Sequence, residues 1–418
     1  MRSRTPADVR AARDAAATTT PIGHRHRACP VCGGTRTPVL HAERFVVPDG
    51  HPLGHGYDVV WCEACGFVFA DTVVAQAAYD RFYATLSKYS DETTGTGGGH
   101  QAWDDRRLEA MARTIAAAVP DREARIVEIG CANGGLLRWL ATLGYRELHG
   151  VDPAPACAAR TDAIPGVHGY TGTLSELPAQ TREADCVIVA HVIEHVQDVL
   201  GALRALRDIM RPLAVLYVEV PDATRYTEFV AAPFQDFNTE HINHFGPASL
   251  RNALVAAGFA VRETTRKDIE ASAGVPYPAL YALATPSDDR APLEPDTELR
   301  PAIERYIDRS AHILATLAQQ IEAWVRETPR LVVWGVGQTT YKLLARTALV
   351  RADIAAFIDT SATYRGMRLR GVEIVGPERL LELPYPVLVG SLVNRESILR
   401  TIAATGAGNP LLLLDTSD

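Results

Sequence analysis

The stretch Ile126-Val-Glu128-Ile-Gly130-Cys-Ala-Asn-Gly134-Gly135 decides the fold. A short run rich in β-branched residues ends in a glycine turn, and a leucine-rich segment through Leu140 follows with helical spacing. Strand, turn and helix in that order predict a nucleotide-binding unit. Its ligand contacts are expected at Gly130, Ala132, Asn133 and Gly134, at the helix N-terminus. The next expected strand, 147–151, ends at Asp152, a carboxylate suited to a ribose diol. An acid there serves dinucleotides equally, so the turn alone does not choose the ligand. Glu128 does. A carboxylate just ahead of the turn repels pyrophosphate and suits a cationic amino and sulfonium end, that of S-adenosylmethionine.

Outward from this unit the pattern stays α/β. Strands are expected at 186–190 and 215–220, and the alternation implies a doubly wound parallel sheet. A second cycle begins at Leu331: a strand over 331–334, the turn Gly335-Val-Gly337, a helix over 340–347, then strands at 354–358 and 386–389. Upstream, helices are expected over 76–88 and about 103–118, with a Gly-rich loop between them. The domain reading is a disordered tail over 1–27, a metal module over 28–75, the α/β core over 76–283, a linker and long helix over 284–330, and a C-terminal Rossmann-like domain over 331–418.

Cys29-Pro-Val-Cys32-Gly-Gly and Cys62-Glu-Ala-Cys65-Gly are two knuckles. Each offers two thiolates on a tight turn, with a glycine that lets backbone N–H groups face sulfur. Together they predict a closed four-cysteine site for structural Zn2+, and a hairpin within 41–60 could fill the gap between them. This is metal spacing in a reducing compartment, which points to the cytoplasm.

Glu128 and the glycine turn resemble motif I of the class I methyltransferases, with Ala132 where the middle glycine usually stands. The resemblance implies that Asp152 binds the ribose of S-adenosylmethionine and that Ala190 and His191, ending the 186–190 strand, line the cofactor. His191-Val-Ile-Glu194-His195 also matches an inverted zinc-peptidase motif, but it directly follows a buried strand, where many methyltransferases carry a similar stretch.

A further loop, Phe237-Asn-Thr-Glu240-His241-Ile-Asn-His244-Phe245, crowds two histidines and a carboxylate into five residues, and an imidazole accepts protons well near neutral pH. The whole arrangement of zinc module, methyltransferase core and C-terminal Rossmann-like domain resembles the nucleotide-sugar C-methyltransferases over roughly residues 28–410. That resemblance implies a Glu240–His241 pair in which His241 abstracts a proton beside a keto group, and a second histidine corresponding to His195. Two departures stand out. Asn238 replaces the family's tyrosine; its amide can hydrogen-bond an enolate oxygen but not donate a phenolic proton. A further family tyrosine matches either Tyr83 or Tyr89. The C-terminal domain, by the same resemblance, helps form the acceptor cleft; Thr340 in place of a third glycine leaves a bound dinucleotide weakly supported, although Asp359 keeps a ribose option open.

The expected function is carbon methylation of a small polar acceptor, a nucleotide-linked sugar. The alternatives are oxygen or nitrogen methylation of a sugar or secondary metabolite, then RNA methylation, then a scaffold without activity. Lys+Arg 42 against Asp+Glu 50 gives a net charge of −8, which disfavours nucleic acid and anionic membrane surfaces. No run of about 18 apolar residues is present, so no membrane-spanning helix is expected, and the basic start lacks the apolar core of a secretory signal. The oligomeric state is not legible.

Overall fold

Three sheets organise the described part of the chain. The structure is a computed structural model describing residues 27–86, 89, 97–289, 291–328 and 330–416. The expected tail therefore lies outside the described residues except for Arg27. That residue is tied down: its N–H donates to Asp71 Oδ1 at 2.9 Å and its guanidinium to the Gln197 carbonyl at 2.7 Å.

The first sheet contains β1 (Val39–Arg44), β2 (Gly56–Trp61) and β3 (Val68–Asp71), all antiparallel. β1 and β2 form the hairpin between the cysteine pairs. Helix α1 (Gln76–Thr85) follows, buries Tyr79 and Phe82, and ends three residues before the expected stop. Residues 87–88 and 90–96 lie outside the description. Helix α2 (Ala102–Ala118) buries Leu108, Met111 and Ile115 at helical spacing.

The central sheet alternates strand and helix as expected. In chain order it runs β4 (Arg125–Ile129), α3 (Gly135–Thr142), β5 (Glu147–Asp152), α4 (Pro155–Asp162), β6 (Val167–Thr171), β7 (Ala184–Ala190), α5 (Val199–Ile209) and β8 (Met210–Pro221). β8, β7, β4, β5 and β6 are parallel neighbours; β4 and β7 are buried along almost their whole length, and β6 is a partly exposed edge strand. Connections leave β4 toward β5 and leave β7 toward β8, so the strand order reverses between β4 and β7. Ligands of open α/β sheets settle at that point, beyond the carboxyl ends of the strands.

After β8 the chain makes the short strand β9 (Asn243–His244) and helix α6 (Pro247–Ala256). A long hairpin of β10 (Phe259–Ser272) and β11 (Val275–Pro286) then adds antiparallel strands to the sheet edge beside β8. The sequence reading contains no such hairpin, and its linker over 284–295 begins inside β11. Helix α7 (Leu299–Glu327) matches the expected long helix and buries Ile303, Tyr306, Ile313 and Leu317. The third sheet is the second cycle: β12 (Arg330–Trp334), α8 (Gln338–Arg346), β13 (Asp353–Ile358), β14 (Arg368–Leu369), β15 (Val372–Val375), β16 (Val387–Val389), α9 (Arg395–Thr405) and β17 (Leu411–Leu413). The chain is thus mixed α/β with a doubly wound central sheet. Among the described residues no helix is long and apolar enough to cross a membrane.

A strand pairing crosses the expected domain boundaries. β9, from the core, is the fourth strand of the first sheet: Val68 pairs with His244 and Phe69 with Asn243. The Ala70 N–H also donates to the Ile242 carbonyl at 2.9 Å.

Candidate active site

A cavity of about 500 Å³ opens at the carboxyl ends of β4, β5 and β7, within the range of small-molecule sites. Glu128, Gly130, Ala132 and Asp152 line one part of it, Ala190, His191 and His195 the middle, and Asn238, Glu240 and His241 another part. Asn133 and Gly134, expected to touch the cofactor, do not line it. The Asn133 side chain accepts from Arg160 Nε at 2.7 Å. Gly134 is required by packing: its backbone is left-handed (φ +71°), and a Cβ there would lie 2.6 Å from Ile164 Cδ1.

Glu128 is buried in β4, and its Oε2 accepts no hydrogen bond. Burial pushes its pKa up to about 8; Arg107 partly offsets this and Asp152 adds to it. A carboxylate left so is a receptor for a cation. Asp152 ends β5 and accepts backbone N–H groups from Ala132 at 2.9 Å and Ala154 at 2.8 Å. Burial nevertheless holds its pKa up, at about 6. An orphaned acid for an amino group and a second acid for a diol fit the donor set of S-adenosylmethionine. Arg107 had no signal in the sequence, being one of many arginines on an amphipathic helix.

His191 follows β7 in a left-handed conformation (φ +55°). Its Nε2 lies 3.2 Å from Glu219 Oε1 and its Nδ1 3.4 Å from Glu194 Oε1. Burial alone would depress its pKa, but the two carboxylates hold it above the ordinary value. Lys267 pairs with the other oxygen of Glu219, so two cations and two carboxylates interlock beneath the cavity.

The Glu240–His241 loop is shaped by Asn238. The Asn238 Oδ1 accepts the backbone N–H groups of Glu240 at 2.9 Å and His241 at 2.8 Å, and its Nδ2 donates to the Gln235 carbonyl at 3.3 Å. The amide expected to meet an enolate is engaged in the turn instead. Tyr83 reaches this loop, its hydroxyl donating to Glu240 Oε2 at 3.1 Å, and Tyr89 lines the same cavity. His195 Nδ1 lies 3.0 Å from the Glu240 carbonyl, and the rings of His195 and His241 are 4.9 Å apart. His244 belongs to the core. It is fully buried against Phe237 and Tyr226, and desolvation pushes its pKa down to about 3.

The C-terminal domain reaches the same cavity. Gln338, first residue of α8, lines it with Val393. Gln338 donates to Thr239 Oγ1 at 2.8 Å and accepts the Thr239 N–H at 3.2 Å. In the second glycine turn, Asp359 accepts the Val336 N–H at 2.7 Å, and Thr340 donates to the Gly335 carbonyl. Asp359 does not line the cavity.

The four knuckle sulfurs lie within 4.8 Å of one another, with Cys29–Cys65 and Cys32–Cys62 at 3.5 Å. Zinc–sulfur bonds of about 2.3 Å imply about 3.8 Å between thiolates of a tetrahedron. The Gly34 N–H points at Cys32 Sγ (3.4 Å), and a Cβ at Gly34 would lie 2.8 Å from Cys62 Sγ. The cluster could therefore hold a metal ion.

Residues 102–264 match the methyltransferase domain family. A probable S-adenosylmethionine-dependent methyltransferase of Mycolicibacterium smegmatis is 28% identical over 242 residues, 54% of this chain and 92% of that protein. A ubiquinone biosynthesis O-methyltransferase of Azorhizobium caulinodans is 31% identical over 34% of this chain, which spans 62% of that relative. Among solved structures, the 1,6-didemethyltoxoflavin-N1-methyltransferase of Burkholderia thailandensis aligns at 18% identity, over 54% of this chain and 97% of the other, with a TM-score of 0.38.

Proposed function

We propose that this S-adenosylmethionine-dependent methyltransferase places the methyl group on the carbon beside a keto group of a nucleotide-linked sugar, with His241 as the base. The observation that carries the reading is the single cavity joining Glu128 and Asp152 to His195, Glu240 and His241. Glu128 receives the cationic amino end of the donor and Asp152 the ribose. Bound there, S-adenosylmethionine supplies an electrophilic methyl carbon, and the electrons of its carbon–sulfur bond return to sulfur on transfer.

The chain's own residues make the nucleophile. His241 takes the proton from the acceptor carbon, and the electron pair of that bond remains on the acceptor as an enolate. Glu240, neighbouring His241, favours the imidazolium that results. Tyr83 holds the Glu240 carboxylate, His195 holds its carbonyl, and Asn238 sets the turn. Gln338 and Val393 let the C-terminal domain form part of the acceptor wall. The knuckles hold structural zinc, and four reduced thiols suit the cytoplasm.

The test is deuterium washout from a keto-sugar nucleotide incubated in D2O. Wild type is expected to exchange the α-proton and His241→Asn to fail. No exchange in wild type, or equal exchange in the variant, overturns the reading. A second reading, oxygen methylation, draws support from the likeness to the ubiquinone biosynthesis O-methyltransferase and from the missing phenol at Asn238. Fragmentation of the methylated product separates the two.

A further inference from the structure

The His191-Val-Ile-Glu194-His195 stretch has no peptidase geometry, since residues Ile193–His195 form one short 3-10 turn and His191 faces Glu219. It leaves a carboxylate only partly compensated. Glu194 is 1% exposed; its Oε1 pairs with His191 Nδ1 at 3.4 Å, and among the described residues no group donates a hydrogen bond to its Oε2. His195 does not satisfy it. The Nδ1 of His195 lies 3.0 Å from the Glu240 carbonyl, which can only accept, so Nδ1 carries the ring proton. In the neutral ring Nε2 then presents a lone pair toward Glu194 Oε1, 3.8 Å away. In that form two acceptors face each other, and either a proton on Nε2 or a metal cation between them stabilises the pair. His241 completes the group: one ligand atom from each of Glu194, His195 and His241 lies within 4.8 Å of the others. Metal bonds of about 2.0–2.2 Å put the ligands of a tetrahedral cation about 3.3–3.6 Å apart, so side-chain rotations that draw these atoms about 1 Å closer close the set.

The geometry points to a divalent transition-metal site formed by Glu194, His195 and His241 inside the cavity, whose occupation excludes proton abstraction by His241. Two imidazoles and one carboxylate favour Ni2+, Cu2+ or Zn2+ over Mg2+ or Ca2+. His195 has the support a metal ligand needs, because its second nitrogen donates to a backbone carbonyl. The exclusion follows from the imidazole itself. A neutral ring has one lone pair, which cannot bind a cation and accept a proton together. A metal here inhibits the proposed reaction. The site itself does not rest on that reaction.

The experiment uses the full chain with its knuckle metal in place, titrated with Ni2+ by calorimetry and with Co2+ by absorption spectroscopy. One cation per chain is expected beyond the knuckle site. Its Co2+ spectrum should lack the thiolate charge-transfer bands that a four-thiolate site shows. Glu194→Gln and His195→Gln are expected to weaken Ni2+ binding at least about tenfold, while retained S-adenosylhomocysteine binding certifies their fold. In wild type, Ni2+ is expected to stop α-proton washout. Equal Ni2+ binding by wild type and both variants overturns the inference. So does no binding below about 1 mM, the result if His191 alone neutralises Glu194. Metal binding lost in both variants, with no washout in metal-free wild type, keeps the site and removes the base reading.

Discussion

Glu128 illustrates how one buried side chain sets a pH response. In the ligand-free protein its carboxyl pKa is pushed up to about 8, first by burial and then by the nearby Asp152. The folded state therefore holds a proton that the unfolded chain releases near pH 4.5, so this group destabilises the fold progressively as pH climbs from about 4.5 to about 8. A bound cation reverses the preference by favouring the ionised form. Affinity for S-adenosylhomocysteine, measured by calorimetry, is expected to rise roughly tenfold per pH unit between about 6 and about 8, then level off. Glu128→Gln is expected to flatten that rise and weaken binding about 10–100-fold. The slope that persists below about pH 6 belongs to Asp152. A flat wild-type profile would mean that Glu128 meets no cation. Glu128 was legible because a carboxylate interrupts a hydrophobic strand just before a glycine turn. Tyr83 was legible only as one of two options, since its partner Glu240 lies 157 residues away and nothing local marks the contact.

At the scale of elements, β9 ties the proposed base to the cysteine knuckles. Two residues of pairing with β3, the bond from Ala70 to Ile242, and the bond from the Tyr57 hydroxyl to the Asn238 carbonyl fasten the 238–244 loop to the first sheet. That sheet is small, and small modules depend on their metal for stability. Chelation, or Cys62→Ser, is therefore expected to abolish methyl transfer while leaving S-adenosylhomocysteine affinity within about threefold, because the cofactor turn belongs to a different sheet. Parallel loss of both would show that the module supports the core as a whole. Such tethering is not readable from sequence, since a strand of two residues carries no periodicity. The hairpin of β10 and β11 was invisible for another reason. β10 lies at the sheet edge, so its polar sequence shows no buried face. β11 carries Pro276 and Pro278, which usually argue against an inner strand. Both lie before Ala279, where the ladder with β8 begins, and Pro278 meets that side only as an acceptor, its carbonyl taking the Asp222 N–H at 3.1 Å. Four parallel strands of the core, β4, β5, β7 and β8, contain short apolar runs and were readable one by one, whereas the polar edge strand β6 (Val167–Thr171) was not.

Over the whole molecule, three units converge on one loop. The knuckle sheet grips residues 242–244, the core supplies His195, and the C-terminal domain holds Thr239 through Gln338. Lys342, one turn further along α8, is buried and donates to the Phe234 carbonyl at 2.6 Å, so the same helix braces both ends of the segment before Glu240. This gives the second α/β cycle a use that needs no dinucleotide of its own. Thr239 is 3% exposed, and its N–H has Gln338 Oε1 as partner. Removing that acceptor strands a buried donor, at a local cost of about 1–3 kcal/mol. Gln338→Ala is therefore expected to lower kcat about tenfold or more and to raise the acceptor KM. S-adenosylhomocysteine affinity should not move, because Glu128 and Asp152 are on other elements. Gln338→Glu, which keeps an acceptor for the Thr239 N–H, is expected to recover part of the loss. If Gln338→Ala turns over like wild type while the melting temperature alone drops, the C-terminal domain stabilises the chain without shaping its chemistry.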